Sequence, residues 1–133
     1  MATFRIKQAA ELLGVSDDTV RRWAESGRLT TTTDSSGRRA VDGAVLARFA
    51  EELAAEQPHA PDRSSGGQSA RNRFTGLVTK VTRDTVMAQV EMQAGPFRVV
   101  SLMSREAADE LQLQPGVLAV AVIKSTNVVV EVP

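Results

Sequence analysis

Two short stretches concentrate the side chains that could do chemistry: Ser69-Ala70-Arg71-Asn72 and, near the end of the chain, Lys124-Ser125-Thr126. Both pair hydroxyls with a cation. A tetrahedral oxyanion asks for that set, because it needs donors and its charge strengthens each hydrogen bond it accepts. Ser104 adds a fourth hydroxyl between them. No carboxylate interrupts either stretch, where it would repel an anion. The candidate oxyanion ligands are therefore Ser69, Arg71, Ser104, Lys124, Ser125 and Thr126. Taken alone, Lys124-Ser125-Thr126 equally suits a polar β-bulge.

Other chemistries find little material. The 133 residues contain no cysteine, so disulfides, thiolate metal sites and cysteine nucleophiles are excluded. The single histidine, His59, lies between Pro58 and Pro61, poorly placed for a rigid site. No nucleophile–base pair, metal cluster or phosphate-cradling glycine loop is visible, and no enzymatic activity is expected. Sixteen basic residues balance sixteen acidic ones, so any basic patch must be local. No apolar run approaches the roughly 20 residues that span a bilayer. The first residues, Met1-Ala2-Thr3-Phe4-Arg5-Ile6-Lys7, lack the apolar core of a signal peptide, which points to the cytoplasm.

The elements that must hold the two polar stretches read as β. Asn72–Thr82 and Thr85–Met92 alternate, the latter with Val86, Ala88, Val90 and Met92 on one face. Phe97–Met103 reads as a third strand and Val117–Ile123 as a fourth. Ser104 caps a short helix from Arg105 to Leu111. Val128–Val132 reads as a fifth strand. Five strands and one short helix over residues 69–133 predict an OB-like β-barrel. Its core is small for its size class. The last valine-rich stretch also lacks one-sided alternation, so such barrels are expected to pack against one another.

Residues 57–68, rich in Pro, Gly, Ser and charge, predict a flexible linker. The segment before it, residues 1–56, has a different period. Ile6, Ala9, Ala10 and Leu13 form one helical face, and Gly14 ends it. Ser16 then caps a helix from Asp17 to Ser26 with Val20, Trp23 and Ala24 as its apolar stripe. Gly27 stops that helix. Two short helices around a glycine turn describe a helix-turn-helix, with Thr19, Arg21 and Arg22 on the second helix. A solvated face with two arginines fits the same spacing. Leu29–Thr33 reads as a strand, Asp34–Gly37 as a turn and Arg38–Val41 as a return strand. Asp42 then caps a third helix carrying Val45, Leu46, Phe49 and Leu53. That order is a winged helix, with Arg38 and Arg39 set for a phosphate backbone. The predicted class is thus α+β in two domains, a winged helix-turn-helix followed by a five-stranded barrel.

Residues 4–54 resemble the small MerR-type and excisionase-like DNA-binding domains. The resemblance rests on Ala9-Ala10-Glu11-Leu12-Leu13-Gly14-Val15-Ser16, Thr19-Val20-Arg21-Arg22-Trp23, Ser26-Gly27-Arg28-Leu29 and Gly37-Arg38-Arg39. It implies double-stranded DNA as partner, contacted through Thr19, Arg21, Arg22, Arg38 and Arg39. Residues 1–56 hold 8 basic against 9 acidic residues, so one copy should bind weakly. Residues 69–133 resemble a Mop domain, the molbindin or TOBE fold, through Ser69-Ala70-Arg71-Asn72, Gly76-Leu77-Val78, Val81-Thr82-Arg83 and Val122–Val128. That resemblance implies molybdate or tungstate as ligand, with sites built between subunits from Ser69, Arg71, Lys124 and Ser125, and with Ala70 and Thr126 adding backbone or hydroxyl donors. It also implies a homo-oligomer, a hexamer arranged as a trimer of dimers. Ser104 stands where relatives usually carry Thr. Together these imply a molybdate-responsive DNA-binding regulator. The alternative is an intracellular molybdate store.

Overall fold

The structure, a computed structural model, describes residues 2–57 and 69–133. The expected linker, 57–68, lies outside the described residues except for Gln57. The chain divides into two compact units, residues 1–60 and 61–133.

The first unit begins with a strand that the sequence reading did not anticipate, β1 (Thr3–Arg5), followed by α1 (Ile6–Leu13) and α2 (Asp17–Glu25). Gly14 ends α1 at φ 71°, a left-handed conformation that favours glycine. Ser16 caps α2, its Oγ accepting from the Thr19 N–H at 3.2 Å, and Asp17 and Asp18 fill the first turn. β2 is only Thr32–Thr33, shorter than expected, because Leu29 turns inward and is 1% exposed. β3 (Arg39–Asp42) is the return strand, and Asp42 caps α3 (Gly43–Ala55) through the N–H groups of Ala44 and Val45. The sheet order β1-β3-β2 puts Phe4 opposite Val41 and Thr33 opposite Arg39. Ala9, Ala10, Val20, Leu29, Val41, Leu46 and Phe49 form the core. Trp23 packs edge-on to Phe49, with ring centroids 5.1 Å apart. Arg28 stacks over both rings at 5.5 Å and bonds both Glu56 carboxylate oxygens, at 2.8 and 2.7 Å. The side chain that follows α2 thus grips the C-cap of α3.

The second unit is one antiparallel sheet of order β6-β5-β4-β7, made of β4 (Ala70–Arg83), β5 (Met87–Ala94), β6 (Phe97–Ser104) and β7 (Leu118–Lys124). α4 (Arg105–Glu110) follows β6 and is capped by Ser104 Oγ, which accepts from the Ala107 N–H. Ala88, Val90, Met92 and Ala94 are buried along one face of β5, whereas Val86 is 67% exposed and precedes the strand. Gly76 is required where β4 crosses β5. A Cβ there would overlap the Gln93 carbonyl and approach the Ala94 Cα at 2.9 Å.

The expected fifth strand is absent from this sheet. β7 ends in a single 3-10 turn, Ser125–Asn127, and Val128–Val132 leaves it without strand pairing. The described unit is therefore a four-stranded sheet, not a closed five-stranded barrel. A run of valines specifies an extended, doubly covered backbone, yet it cannot specify which edge will cover it.

Candidate functional site

The β4–β7 ladder brings the two polar stretches together. Ala70 stands opposite Lys124, and Asn72 opposite Ile123. The register shifts between those two pairs, so Arg71 sits in a bulge. A bulge leaves one residue out of the ladder and re-aims its side chain. Asn72 closes the arrangement by donating from Nδ2 to the Ile123 carbonyl at 3.1 Å. The 53 residues of sequence between Ala70 and Lys124 are thus bridged in one chain by backbone pairing.

Each candidate ligand has a definite place. Ser69 is exposed immediately before β4. Lys124 is the exposed last residue of β7, and among the described residues its side chain has no hydrogen-bond or ion-pair partner. Ser125 and Thr126 follow it in the 3-10 turn, both exposed. Neither β4 nor β7 contains a carboxylate, while they contribute Arg71, Arg73 and Lys124 at this end. The corner is exposed, cationic and rich in donors, which suits a hydrated anion better than a neutral or cationic ligand.

Ser104 is not brought to this corner. It pairs with Met87 at the start of β5, beside the Arg83–Ala88 pair that ends β4. The 14-residue β4 separates it from Ala70 by roughly 40 Å of strand. Within one chain its hydroxyl serves the cap of α4.

The second candidate site lies in the first unit. Arg21, Arg38 and Arg39 line one open cleft of about 390 Å³ together with Arg5, Ile6, Lys7 and Asp17. Arg5 and Lys7 were missed from the sequence. Their signal was available, because both flank the apolar residue that opens α1. Arg22 does not line this cleft and instead donates to the Thr19 hydroxyl at 3.2 Å. The Thr19 hydroxyl is also 2.9 Å from that of Ser16, so Thr19 serves the helix cap. Asp34 shapes the wing by accepting from the Ser36 and Arg38 N–H groups, both at 2.9 Å, and from the Ser36 hydroxyl at 2.7 Å. The Ser36 hydroxyl first, then these amides, hold its carboxyl below the ordinary carboxylate range; Arg5, at 3.7 Å, adds to the same direction. Among the described residues no cluster of three or more His, Cys, Asp or Glu could hold a metal ion. No described helix is long and apolar enough to cross a membrane.

Comparison with known proteins gives two domain matches, a helix-turn-helix domain over residues 3–54 and a TOBE domain over residues 68–130. Molybdenum transport protein ModE of Herbaspirillum seropedicae is 40% identical over 68 residues, which cover 50% of this chain and 25% of that protein. The chain thus spans only a quarter of that relative's length. Molybdenum-pterin-binding protein 3 of Clostridium pasteurianum is 38% identical over 63 residues, covering 47% of this chain and 93% of that protein. A solved structure of the cytoplasmic molybdate-binding protein ModG with molybdate bound aligns at 40% identity and a TM-score of 0.49, over 54% of this chain and 52% of that one. The chain belongs to the molbindin-type TOBE family and carries a helix-turn-helix domain ahead of its TOBE domain.

Proposed function

We propose that this chain is a molybdate-responsive DNA-binding regulator, with molybdate or its near-isostere tungstate as the ligand of the second unit. The single observation that carries this reading is the pairing of Ala70 with Lys124, with Arg71 bulged beside it, in a chain that also bears a helix-turn-helix. Ser69, Arg71, Lys124, Ser125 and Thr126 donate to the anion by side chain, and Ala70 by its N–H. Ser104 joins such a site only from a second copy, which agrees with sites built between subunits. The assembly is a homo-oligomer, a hexamer of three dimers, in which Val128–Val132 completes a five-stranded barrel. The working division is a DNA-binding domain over 1–56, a linker over 57–68 and an anion-binding domain over 69–133. The protein acts in the cytoplasm and has no catalytic role.

On the DNA side, Arg21, Arg38 and Arg39 meet phosphates from one cleft, and Arg22 and Thr19 lie on the adjacent helix surface. Several copies compensate for the weakness of each, provided the linkers reach. Anion binding shifts how the DNA-binding domains are presented, which makes the two affinities reciprocally coupled. Mobility-shift binding to the chain's own promoter region, with and without molybdate, tests this. A molybdate-dependent change in affinity is expected. Absence of any specific DNA complex in either condition would sink the regulatory role.

A storage role is the second reading. It is favoured by relatives such as molybdenum-pterin-binding protein 3, matched over 93% of its length by less than half of this chain. Under it, deletion of residues 1–56 leaves anion capacity and assembly unchanged and no promoter complex forms.

A further inference from the structure

The second helix of the first unit sorts its charged side chains by face. Its buried side rests on Val20, which is 0% exposed, with Trp23 and Ala24 half-buried beside it. At 3.6 residues per turn, Asp18, Arg22 and Glu25 share the opposite side, at i, i+4 and i+7. All three are exposed. Arg21 stands roughly 100° round the helix from Arg22, on the flank that lines the basic cleft with Asp17, Arg38 and Arg39. Two adjacent arginines of α2 therefore look out on different surroundings.

Their restraints differ as well. Arg21 is ion-paired, with Nη1 3.2 Å from Asp18 Oδ1. Arg22 has no ion pair among the described residues, and its Nη2 donates to the Thr19 hydroxyl at 3.2 Å. The Thr19 hydroxyl is in turn 2.9 Å from that of Ser16, the N-cap. Ser16, Thr19 and Arg22 thus form a ladder at i, i+3 and i+6 along the helix. A hydroxyl restrains a guanidinium without cancelling its charge, and it leaves the rest of the planar fork to a second acceptor.

The outward side of α2 is a poor surface for phosphates. Asp18, whose side chain is 86% exposed, and Glu25 flank Arg22 there, and each repels a phosphate. Base edges in the major groove carry no such charge. They offer acceptors to an arginine fork and amino groups to a carboxylate. The second helix of a helix-turn-helix is the element that enters the groove, and guanine presents there two adjacent acceptors, N7 and O6, spaced for one fork. We infer that Arg22 reads a guanine in the major groove, that Thr19 is the residue that positions its fork, and that Arg21 is left to the phosphates. This division rests on the reading of the first unit as a DNA-binding domain and deepens it, since anchoring and sequence reading then fall on neighbouring residues.

The test uses the full-length chain and a pool of random-sequence duplexes, from which repeated mobility-shift selection enriches a site. Each guanine of that site is exchanged in turn for 7-deazaguanine, which lacks the N7 acceptor and keeps its base pairing. One exchange is expected to weaken wild-type binding about tenfold. In Arg22→Ala the same exchange should change affinity by less than about twofold, with the slope of log affinity against log salt as in wild type. Arg21→Ala should lower that slope by about 1. Thr19→Val, close in shape and checked for intact fold by circular dichroism, should lose most of the discrimination between guanine and 7-deazaguanine, and Thr19→Ser should keep it. A merely structural Thr19 would lower affinity for both duplexes alike. The inference is overturned if no exchange weakens wild-type binding, if Arg22→Ala keeps the N7 dependence and lowers the salt slope by about 1, or if Thr19→Val discriminates like wild type. A pool that enriches no sequence would overturn the regulatory reading as well, whereas an enriched site without an N7-dependent guanine overturns this inference alone.

Discussion

Lys124 and Arg71 place positive charge at one corner of the β4–β7 ladder, and neither strand offers a carboxylate to cancel it. A charge-assisted hydrogen bond contributes about 1.5–3 kcal/mol, or roughly 10- to 100-fold in affinity. Lys124→Ala should therefore weaken molybdate binding by about that factor in calorimetry. Retained affinity would remove Lys124 from the site. Asn72→Ala should cost less, since Asn72 only ties the bulge to the Ile123 carbonyl. At the wing, the Asp34 carboxyl titrates below its ordinary value of 3.8. A depressed carboxylate stabilises the fold above its unfolded pKa, and that stabilisation is lost as pH falls through the folded value. The Ser36 and Arg38 amides should hold their NMR shifts from neutral pH to about 5 and move only below about pH 4. Movement at pH 6 would mean another group controls the wing.

Among the elements, β4 is the one on which both the core and the site depend. It pairs with β5 along its second half and with β7 along its first, and the crossover at Gly76 brings the β5 backbone too close for a side chain. Gly76→Ala must push backbone against backbone, and we expect a loss of about 2–4 kcal/mol in denaturant unfolding of the second unit. A change below about 0.5 kcal/mol would show that the strands can separate freely there. In the first unit Leu29 does not lie on a strand face but fills the core between α2 and α3, at 1% exposure. Leu29→Ala should destabilise that unit by about 2–5 kcal/mol through the cavity it leaves.

For the whole molecule, the proposed function gives both units an anionic partner, a long polyanion for the first and a small oxyanion for the second, so the two differ in reach. The cleft lined by Arg5, Lys7, Arg21, Arg38 and Arg39 should make DNA binding steeply salt-dependent. Lys7→Ala should reduce the slope of log affinity against log salt by about 1, uniformly across sequences, in fluorescence anisotropy. An unchanged slope would place Lys7 off the phosphate path. The Arg28–Glu56 grip ties the C-cap of α3 to the body of the first unit.

Much of this was legible in the residues themselves. Local rules reach that far: Ser16 and Ser104 cap their helices through their own hydroxyls, Gly14 takes the left-handed stop, and Ala88, Val90 and Met92 alternate because a strand half-buries itself. The donor-rich character of Ser69–Asn72 and Lys124–Thr126 is also a property of composition, and no fold is needed to see it. The tertiary structure alone decided what depends on register and edges. It put Ala70 across from Lys124 with Arg71 in a bulge, and it sent Ser104 to the far end of the sheet. It also added Arg5 and Lys7 to the basic cleft and left Val128–Val132 without strand pairing among the described residues. Periodicity states which face of a strand is apolar. It cannot state which strand lies beside it, because pairing is set by backbone groups that every residue carries alike.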